Sequence, residues 1–318
     1  MNEEAIDENI KDDNYRHLAE NTKKRMGPAT HVGLNRALLD FSNRLVPYLT
    51  QQRFCGKVVY SGGDDVMAVL PLPDLPEYLL SVRSAWCGTD DPFGEFEGRD
   101  SGYWHPVKDL EGLQQRPYFT MGKDATMSLG VVIAHKSVPL PTVLENLWVA
   151  EKERAKKLPG KDGLCFRVIY GGGNVLEAVM KGCLLSQWYN WVKSYADIDL
   201  SPLLYRLAEE LPLHSCVTPD SRLIRKATEV IINKREEKIP DEVKQSFFNW
   251  LDEWEKWAYD PVKYSSKSKE CNNSTTSKTN NSKKDHLGTD INDLANILRF
   301  SAFWLDKMQQ HQQWTKGV

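Results

Sequence analysis

The sequence predicts an α+β fold that continues into a helical C-terminal part, and three patterns support this prediction. Two β-branched runs, at 57–60 and 66–70, flank a Gly-Gly pair as the strands of a β-hairpin flank their turn. Helical and strand-like segments alternate between residues 34 and 170, which is typical of helices on one face of a mainly antiparallel sheet. Beyond a Gly-rich break at 171–174, the pattern becomes helical.

The first half of the chain contains the predicted helices and strands of the α+β part. Apolar residues recur at helical spacing in the first predicted helix: Leu34, Leu38, Phe41, Leu45 and Leu49. Pro47 is expected to kink or end this helix, because proline has no N–H to donate. The segments predicted after it are the hairpin at 57–70, a helix at 75–86, a strand at 126–134, a helix from Pro141 to Lys157 and a strand at 165–170. Residues 87–124 lack clear periodicity and are interpreted as a long loop or insertion.

The remaining chain is predicted to be helical, with polar stretches that cannot bury a core. Apolar periodicity predicts helices at 175–194, 201–211, 220–235, 240–258 and 290–310. Residues 264–286 are rich in Ser, Asn, Thr and Lys, so we expect a disordered loop there. Residues 1–25 are charged and are expected to form a flexible N-terminal lead-in.

Composition excludes several broad classes of protein. The net charge of -3 gives no global signature of nucleic-acid binding. Six scattered cysteines without a C-x-x-C pair indicate neither a zinc ribbon nor a disulfide framework, and reduced thiols fit a cytoplasmic protein. There is no apolar run of the ~20 residues that a membrane span needs, and the polar N-terminus does not resemble a signal peptide. We therefore expect a cytoplasmic location and no membrane partner.

The hairpin carries the most specific chemical signal of the chain. Asp64 and Asp65 directly follow Gly62 and Gly63 between the two strands. Neighbouring carboxylates on a turn can hold a divalent cation against nucleotide phosphates, because Mg²⁺ takes a few carboxylates together with substrate oxygens. The alternative is a type I′ or II′ turn at the glycines with aspartates that are simply solvated.

The residues around this motif resemble a known family. The run 60–66, Tyr-Ser-Gly-Gly-Asp-Asp-Val, resembles the GGDD palm motif of the large subunit of type III-B (Cmr-type) CRISPR effector complexes. The stretch 28–31, the strand and turn at 130–140 and the basic helix at 150–156 resemble the same family. The resemblance covers residues 26–170, and the helical remainder is similar in pattern only.

The resemblance implies a ferredoxin-like palm domain, similar to nucleotidyl cyclases, with an all-helical C-terminal domain. In this family the large subunit converts ATP into cyclic oligoadenylates, used in antiviral defence, once the complex has captured target RNA. The implied site comprises the catalytic, metal-binding pair Asp64 and Asp65 and the nucleotide-binding residues Ser61, Gly62, Gly63 and Lys156. The implied cofactor is Mg²⁺ or Mn²⁺. The implied partners are ATP, the other Cmr-type subunits, and guide and target RNA bound through the complex.

The chain also departs from the family pattern. The family's palm begins with a strand that carries a further metal-binding aspartate, and residues 1–33 contain no such apolar strand. We therefore interpret the chain as the C-terminal part of a split or truncated large subunit whose palm domain, at 26–172, lacks its first strand. An upstream large-subunit fragment is then an expected partner. The helical domain is predicted at 173–318.

Two other functions are compatible with the sequence. A non-catalytic scaffold in the CRISPR ribonucleoprotein is favoured by the missing aspartate strand. A stand-alone diguanylate cyclase is disfavoured, because Asp64 and Asp65 replace the Glu-Phe of the GGDEF motif. Lys156 can bind phosphate or complement a helix dipole. The stripe Trp250, Trp254 and Trp257 is interpreted as core packing or a subunit face rather than a base-stacking surface.

Overall fold

The computed structural model describes residues 27–99, 102–157, 161–194, 200–214, 221–234, 239–259 and 289–316. The predicted lead-in at 1–25 and the predicted loop at 264–286 lie outside these residues. Within them, none of the helices has both the length and the apolar character of a membrane span.

The described residues form eight α-helices longer than one turn and eight strands. The helices are α1 (Pro28–Asp40), α2 (Leu75–Cys87), α3 (Leu140–Trp148), α4 (Leu185–Ser194), α5 (Ser201–His214), α6 (Ser221–Asn233), α7 (Asp241–Tyr259) and α8 (Ile291–Lys316). The strands are β1 (Lys57–Gly62), β2 (Asp65–Val69), β3 (Phe96–Arg99), β4 (Tyr103–Pro106), β5 (Tyr118–Phe119), β6 (Leu129–Ala134), β7 (Gly163–Ile169) and β8 (Val175–Lys181). The predicted α+β class with a helical C-terminal part is confirmed.

The chain divides into two compact units. The described residues of the first unit are 27–70, 84–99 and 102–125, and those of the second are 71–83 and everything described from 126 onward. These units divide the chain differently from the predicted domains, because residues 126–172 share a unit with residues 173–181. The antiparallel pairing of β7 with β8 joins the two stretches.

The helix that starts the first unit passes through Pro47, so of the two predicted effects of this residue an end of the helix is wrong, while a kink stays a prediction. After α1 the chain continues as a π-helical segment (Phe41–Leu45), one α-helical turn (Val46–Tyr48) and a second π-helical segment (Leu49–Arg53). Pro47 removes one backbone donor, and the wider π-type turns on both sides let the helix continue around that gap. Phe41, Leu45 and Leu49 are buried, as their spacing predicts.

Residues 87–124 are not a plain loop, so the first of the two interpretations of this segment is wrong, while an insertion stays a prediction. They contain a three-stranded antiparallel sheet in the order β3-β4-β5. Buried aromatic side chains supply its core, with Phe96 stacked on Trp104 at 4.1 Å between ring centroids. The strands have only two to four residues, too few for the alternating pattern that identifies a strand in a sequence.

The second unit contains a mixed three-stranded sheet rather than part of one antiparallel sheet. β6 runs parallel to β7, and β8 runs antiparallel to it. Six of the seven β7 residues are buried, as expected for a central strand that is covered on both faces. The hairpin β1-β2 forms a separate two-stranded sheet in the first unit, so the single predicted sheet is not observed among the described residues.

The predicted helix at 175–194 is half wrong. Residues 175–181 form β8, and only 185–194 form the helix α4. The four later helices are confirmed as α5 to α8, and the tryptophan stripe of α7 is buried as core. The indole N–H of Trp188 donates to Ser301 Oγ at 2.9 Å, which ties α4 to α8 inside this core.

Candidate functional site

The hairpin β1-β2 has a regular register with one bulge. Gly62 pairs with Asp65, Ser61 with Val66 and Tyr60 with Met67, and the register shifts between Val58 and Tyr60. β-Branched residues favour this extended backbone because they fit a pleated surface. The bulge lies three residues before the turn, and bulges increase local strand twist and re-aim side chains.

The turn at the tip lies one residue later than predicted. Its two central residues are Gly63 and Asp64, because Gly62 ends β1 and Asp65 begins β2. Gly63 has a φ of +66°, which only glycine adopts without strain, and Asp64 is not among the described residues with a positive φ. This sign pattern is that of a type II′ turn, which matches the twist of the flanking strands.

The two aspartates are exposed and unengaged at the tip. Asp64 projects from the turn itself, and Asp65 is the first residue of β2. Neither carboxylate forms an ion pair or hydrogen bond with the part of the chain that the structure describes. The pair therefore offers two hard oxygen donors to a cation, which is the number that Mg²⁺ commonly takes from protein beside phosphate oxygens.

The described residues place no further metal-ligand group around the pair. Across residues 27–316, with the gaps given above, there is no group of three or more His, Cys, Asp or Glu side chains placed to hold a metal ion. Water and substrate oxygens can complete the coordination of a cation at Asp64 and Asp65. The donor set fits Mg²⁺ or Mn²⁺ bound together with a nucleotide, and does not fit a closed structural zinc site.

Ser61 points away from the aspartates. Its side chain lies on the face of the hairpin that packs on the helical segment Phe41–Leu45. The Ser61 Oγ donates a hydrogen bond to the Ser42 carbonyl oxygen at 2.9 Å. With its proton used in this bond, the hydroxyl can only accept further hydrogen bonds. The predicted nucleotide contact of Ser61 stays a prediction, and it requires this bond to break if Ser61 is to donate to a phosphate.

Lys156 lies in the second unit, directly after the π-helical segment Val149–Ala155. Its Nζ contacts Glu151 Oε1 at 2.6 Å, and 42% of the side chain is exposed. Burial raises the pKa of Glu151, but hydrogen bonds from Lys156 and Lys152 outweigh this effect and hold the pKa below its ordinary value. An exposed ion pair of this kind contributes little stability, so a more highly charged triphosphate can compete with Glu151 for the ammonium group.

Gly62 is covered by a side chain that the sequence analysis did not single out. A Cβ added to Gly62 would lie 2.4 Å from Tyr60 Oη and 2.8 Å from Tyr60 Cζ. Tyr60 and Gly62 are two residues apart on one strand, so their side chains share a face. That spacing was visible in the sequence, but the lean of the ring over the glycine was not.

Comparisons with known proteins find relatives of the part of the chain that contains the hairpin. Residues 11–165 match the family model for Cas10/Cmr2, second palm domain. The chain is 28% identical over 163 residues to "CRISPR system Cmr subunit Cmr2" of Pyrococcus furiosus, which is 51% of this chain and 16% of that protein. It is 27% identical over 147 residues to "CRISPR system CMR subunit Cmr2" of Saccharolobus solfataricus, which is 46% of this chain and 12% of that protein. The chain thus spans less than a fifth of the length of these relatives.

Proposed function

We propose that this chain, whose residues 11–165 match the family model for Cas10/Cmr2, second palm domain, is a catalytic palm segment of a type III-B CRISPR effector. Within the assembled complex it joins ATP units into cyclic oligoadenylate when target RNA is bound. Its partners are the other Cmr-type subunits, the guide and target RNA that they hold, and an upstream fragment that supplies the rest of the large subunit.

The proposed reaction is a nucleotidyl transfer. The 3′-oxygen of one nucleotide forms a bond to the α-phosphorus of ATP, the bond from that phosphorus to the bridging β-phosphate oxygen breaks, and pyrophosphate leaves. The hydroxyl proton passes to solvent. When bound, Mg²⁺ or Mn²⁺ neutralises the phosphates and lowers the pKa of the attacking hydroxyl. The chain's part is to position these groups.

Three of the predicted site residues form the cation site of this proposal. Asp64 and Asp65 hold the cation, and Gly63 sets the turn that brings the two carboxylates together. Lys156, which belongs to the second unit, stays a predicted phosphate ligand. The single observation that carries the proposal is the exposed, unpaired Asp64-Asp65 tip within a segment that matches a palm domain family. Carboxylates held by arginine or lysine would not be available to a cation.

A second candidate function is a non-catalytic scaffold. Two observations favour it: the described residues contain no third metal-ligand candidate beside the pair, and α3 exposes a stripe of apolar residues. This α3 stripe consists of Leu140, Leu144 and Trp148, of which 66%, 43% and 56% of the surface is exposed. Apolar residues one turn apart on an exposed helix face mark an interaction surface, and we assign the stripe to contact with another Cmr-type polypeptide.

An assay on the assembled complex separates the two functions. The chain is purified with the Cmr-type subunits, guide RNA and target RNA, supplied with ATP and Mg²⁺, and the products are analysed by mass spectrometry. We expect oligoadenylates from the wild type and at least a hundredfold less from the Asp64→Asn/Asp65→Asn variant. The matched control is Asp124→Asn, an exposed aspartate in the same unit.

A complex that assembles fully and makes no oligoadenylate with the wild-type chain supports the scaffold. Equal product from the wild type and the doubly substituted variant contradicts a catalytic role for the hairpin tip.

A further inference from the structure

The face of the hairpin opposite the helix carries an aromatic platform beside the aspartates. Tyr60, Gly62, Asp65 and Met67 lie on this face, because paired residues share a face and side chains alternate along each strand. Ser61 marks the other face by its bond to Ser42.

The platform is the ring of Tyr60, which leans along β1 toward the tip and rests on Gly62. A Cβ built at Gly62 would lie 2.4 Å from Tyr60 Oη, so a larger residue at this position would displace the ring. Even so, 56% of Tyr60 is exposed, so one surface of the ring faces outward. Its hydroxyl makes no hydrogen bond with the described residues.

This contact changes the interpretation of Gly62. The resemblance implies that Gly62 binds the nucleotide, but the ring of Tyr60 already occupies the space above this glycine. Because Gly62 has no side chain, the ring of Tyr60 can instead lie against the backbone of the strand at this residue. A seated aromatic ring with one open surface is a stacking platform, and stacking on a base tolerates any base because every base has a π-face.

We propose that Tyr60 stacks on the base of the nucleotide whose phosphates are held at Asp64 and Asp65. This inference rests on the proposed function and adds the residue that recognises the base. Tyr60 is two residues from Gly62, the partner of Asp65, so its Cα lies about 7 Å along the strand from the tip. A nucleotide spans a comparable distance from its phosphates to its base, so one molecule can contact both.

The test compares two probes on the full chain by titration calorimetry: Mg²⁺-ATP, and Mg²⁺-tripolyphosphate, which has no base. We expect Tyr60→Ala to raise the Kd for Mg²⁺-ATP about tenfold, as for loss of one stacking contact, and to leave the Kd for Mg²⁺-tripolyphosphate unchanged. Tyr60→Phe keeps the ring and should restore ATP binding to within about twofold of the wild type. Trp314→Ala, an exposed aromatic on α8, is the control and should change neither value.

A second variant tests the contact between the Tyr60 ring and Gly62. Gly62→Ala should displace Tyr60 and raise the Kd for Mg²⁺-ATP to a similar extent. The Tyr60→Ala/Gly62→Ala double variant should then bind ATP no more weakly than Tyr60→Ala alone, because both changes remove the same contact.

The outcomes separate this inference from the proposed function. If the Asp64→Asn/Asp65→Asn variant binds neither probe while Tyr60→Ala binds Mg²⁺-ATP with the Kd of the wild type, the stacking role is overturned and the proposed function stands. If Tyr60→Ala raises the Kd for both probes equally, Tyr60 has only a structural role and the inference is wrong. If the wild-type chain binds neither probe, the proposed function fails and the inference fails with it.

Discussion

At the scale of single residues, buried charges hold the first unit together around the hairpin. Arg53 donates to both carboxylate oxygens of Asp91, at 2.7 and 2.6 Å, and to Glu95 at 2.7 Å. Only 4% of the Arg53 side chain and none of the Asp91 side chain is exposed. Tyr48 also donates a hydrogen bond to Glu95 at 2.8 Å. The cluster therefore connects the helical segments that follow α1 to the residues before β3.

Arg53→Met should destabilise the chain strongly. It leaves Asp91 buried without its guanidinium partner, and breaking a buried ion pair from one side costs about 3–5 kcal/mol. The measurement is the free energy of unfolding from urea denaturation. Arg206→Met is the matched control, since Arg206 is half exposed and pairs with Glu210 one turn along α5; it should lose about 0–1 kcal/mol. Equal losses in both variants would contradict this interpretation of the cluster.

Asp40 should make stability depend on pH. Burial raises the pKa of Asp40, but hydrogen bonds from Arg116 and from the Phe119 N–H outweigh it, so the pKa is lower than in the unfolded chain. A lowered carboxyl pKa stabilises the folded state above the unfolded value of about 3.9. That contribution is lost as the pH falls through the folded pKa.

We therefore expect the wild-type free energy of unfolding to fall below about pH 4, and the slope to be shallower in Asp40→Asn. Chemical denaturation between pH 2 and pH 6 measures both slopes. Asp124→Asn, an exposed site, should keep the wild-type slope. If the free energy of unfolding of Asp40→Asn changed with pH as steeply as that of the wild type, Asp40 would not account for the loss of stability in acid.

At the scale of helices and strands, the sequence predicted those whose periodicity is local. The hairpin and the helices α5 to α8 were found because their apolar residues repeat at the spacing of the structure that they form. β8 was missed because Val175, Leu176 and Val179 fit a helical pattern as well as a strand, and only pairing with β7 decides between them. The sheet β3-β4-β5 was missed because its strands are shorter than any recognisable period.

Gly130 shows how a packing constraint is set between segments that are distant in sequence. A Cβ at Gly130 would lie 2.7 Å from the backbone nitrogen of Glu151 and 3.1 Å from the side chain of Ala150. β6 therefore packs directly on the backbone of the π-helical segment Val149–Ala155. Because a backbone cannot move aside as a flexible side chain can, this site should not tolerate even one methyl group.

Gly130→Ala should lower the free energy of unfolding by about 1–3 kcal/mol, as overpacking does. Gly171→Ala is the control, because no atom lies within 4 Å of a Cβ built there. Thermal unfolding followed by circular dichroism compares the two variants. A Gly130→Ala variant as stable as Gly171→Ala would indicate that β6 and the helical segment can separate at little cost.

The α3 stripe should affect assembly rather than folding. Leu144→Glu and Trp148→Glu place charges on an exposed apolar surface, so we expect little change in melting temperature. We expect an affinity for the proposed Cmr-type partner subunits that is lower by on the order of tenfold or more, because tryptophan is enriched among binding hot spots. Val230→Glu, which alters an isolated exposed residue on α6, should assemble normally. If the Trp148→Glu variant assembled fully, the α3 stripe would not be part of the partner interface.

At the scale of the whole molecule, the chain corresponds to a small part of its relatives. Its matched region is 16% of the Pyrococcus furiosus protein and 12% of the Saccharolobus solfataricus protein. The resemblance to a palm domain could be recognised from the sequence, because the hairpin and its flanking residues are contiguous. The seat of Tyr60 on Gly62 and the bond of Ser61 to Ser42 were not, because both depend on which face of the hairpin packs on the helix.

The proposed function requires the hairpin tip to present Asp64 and Asp65 to a cation that bridges a bound triphosphate. Anomalous diffraction from crystals of the chain grown with Mn²⁺ and a non-hydrolysable ATP analogue would locate this cation. We expect a manganese peak within coordination distance of both carboxylates, with the triphosphate oxygens completing the shell. Manganese and triphosphate bound together elsewhere on the chain, with Asp64 and Asp65 in solvent, would contradict it.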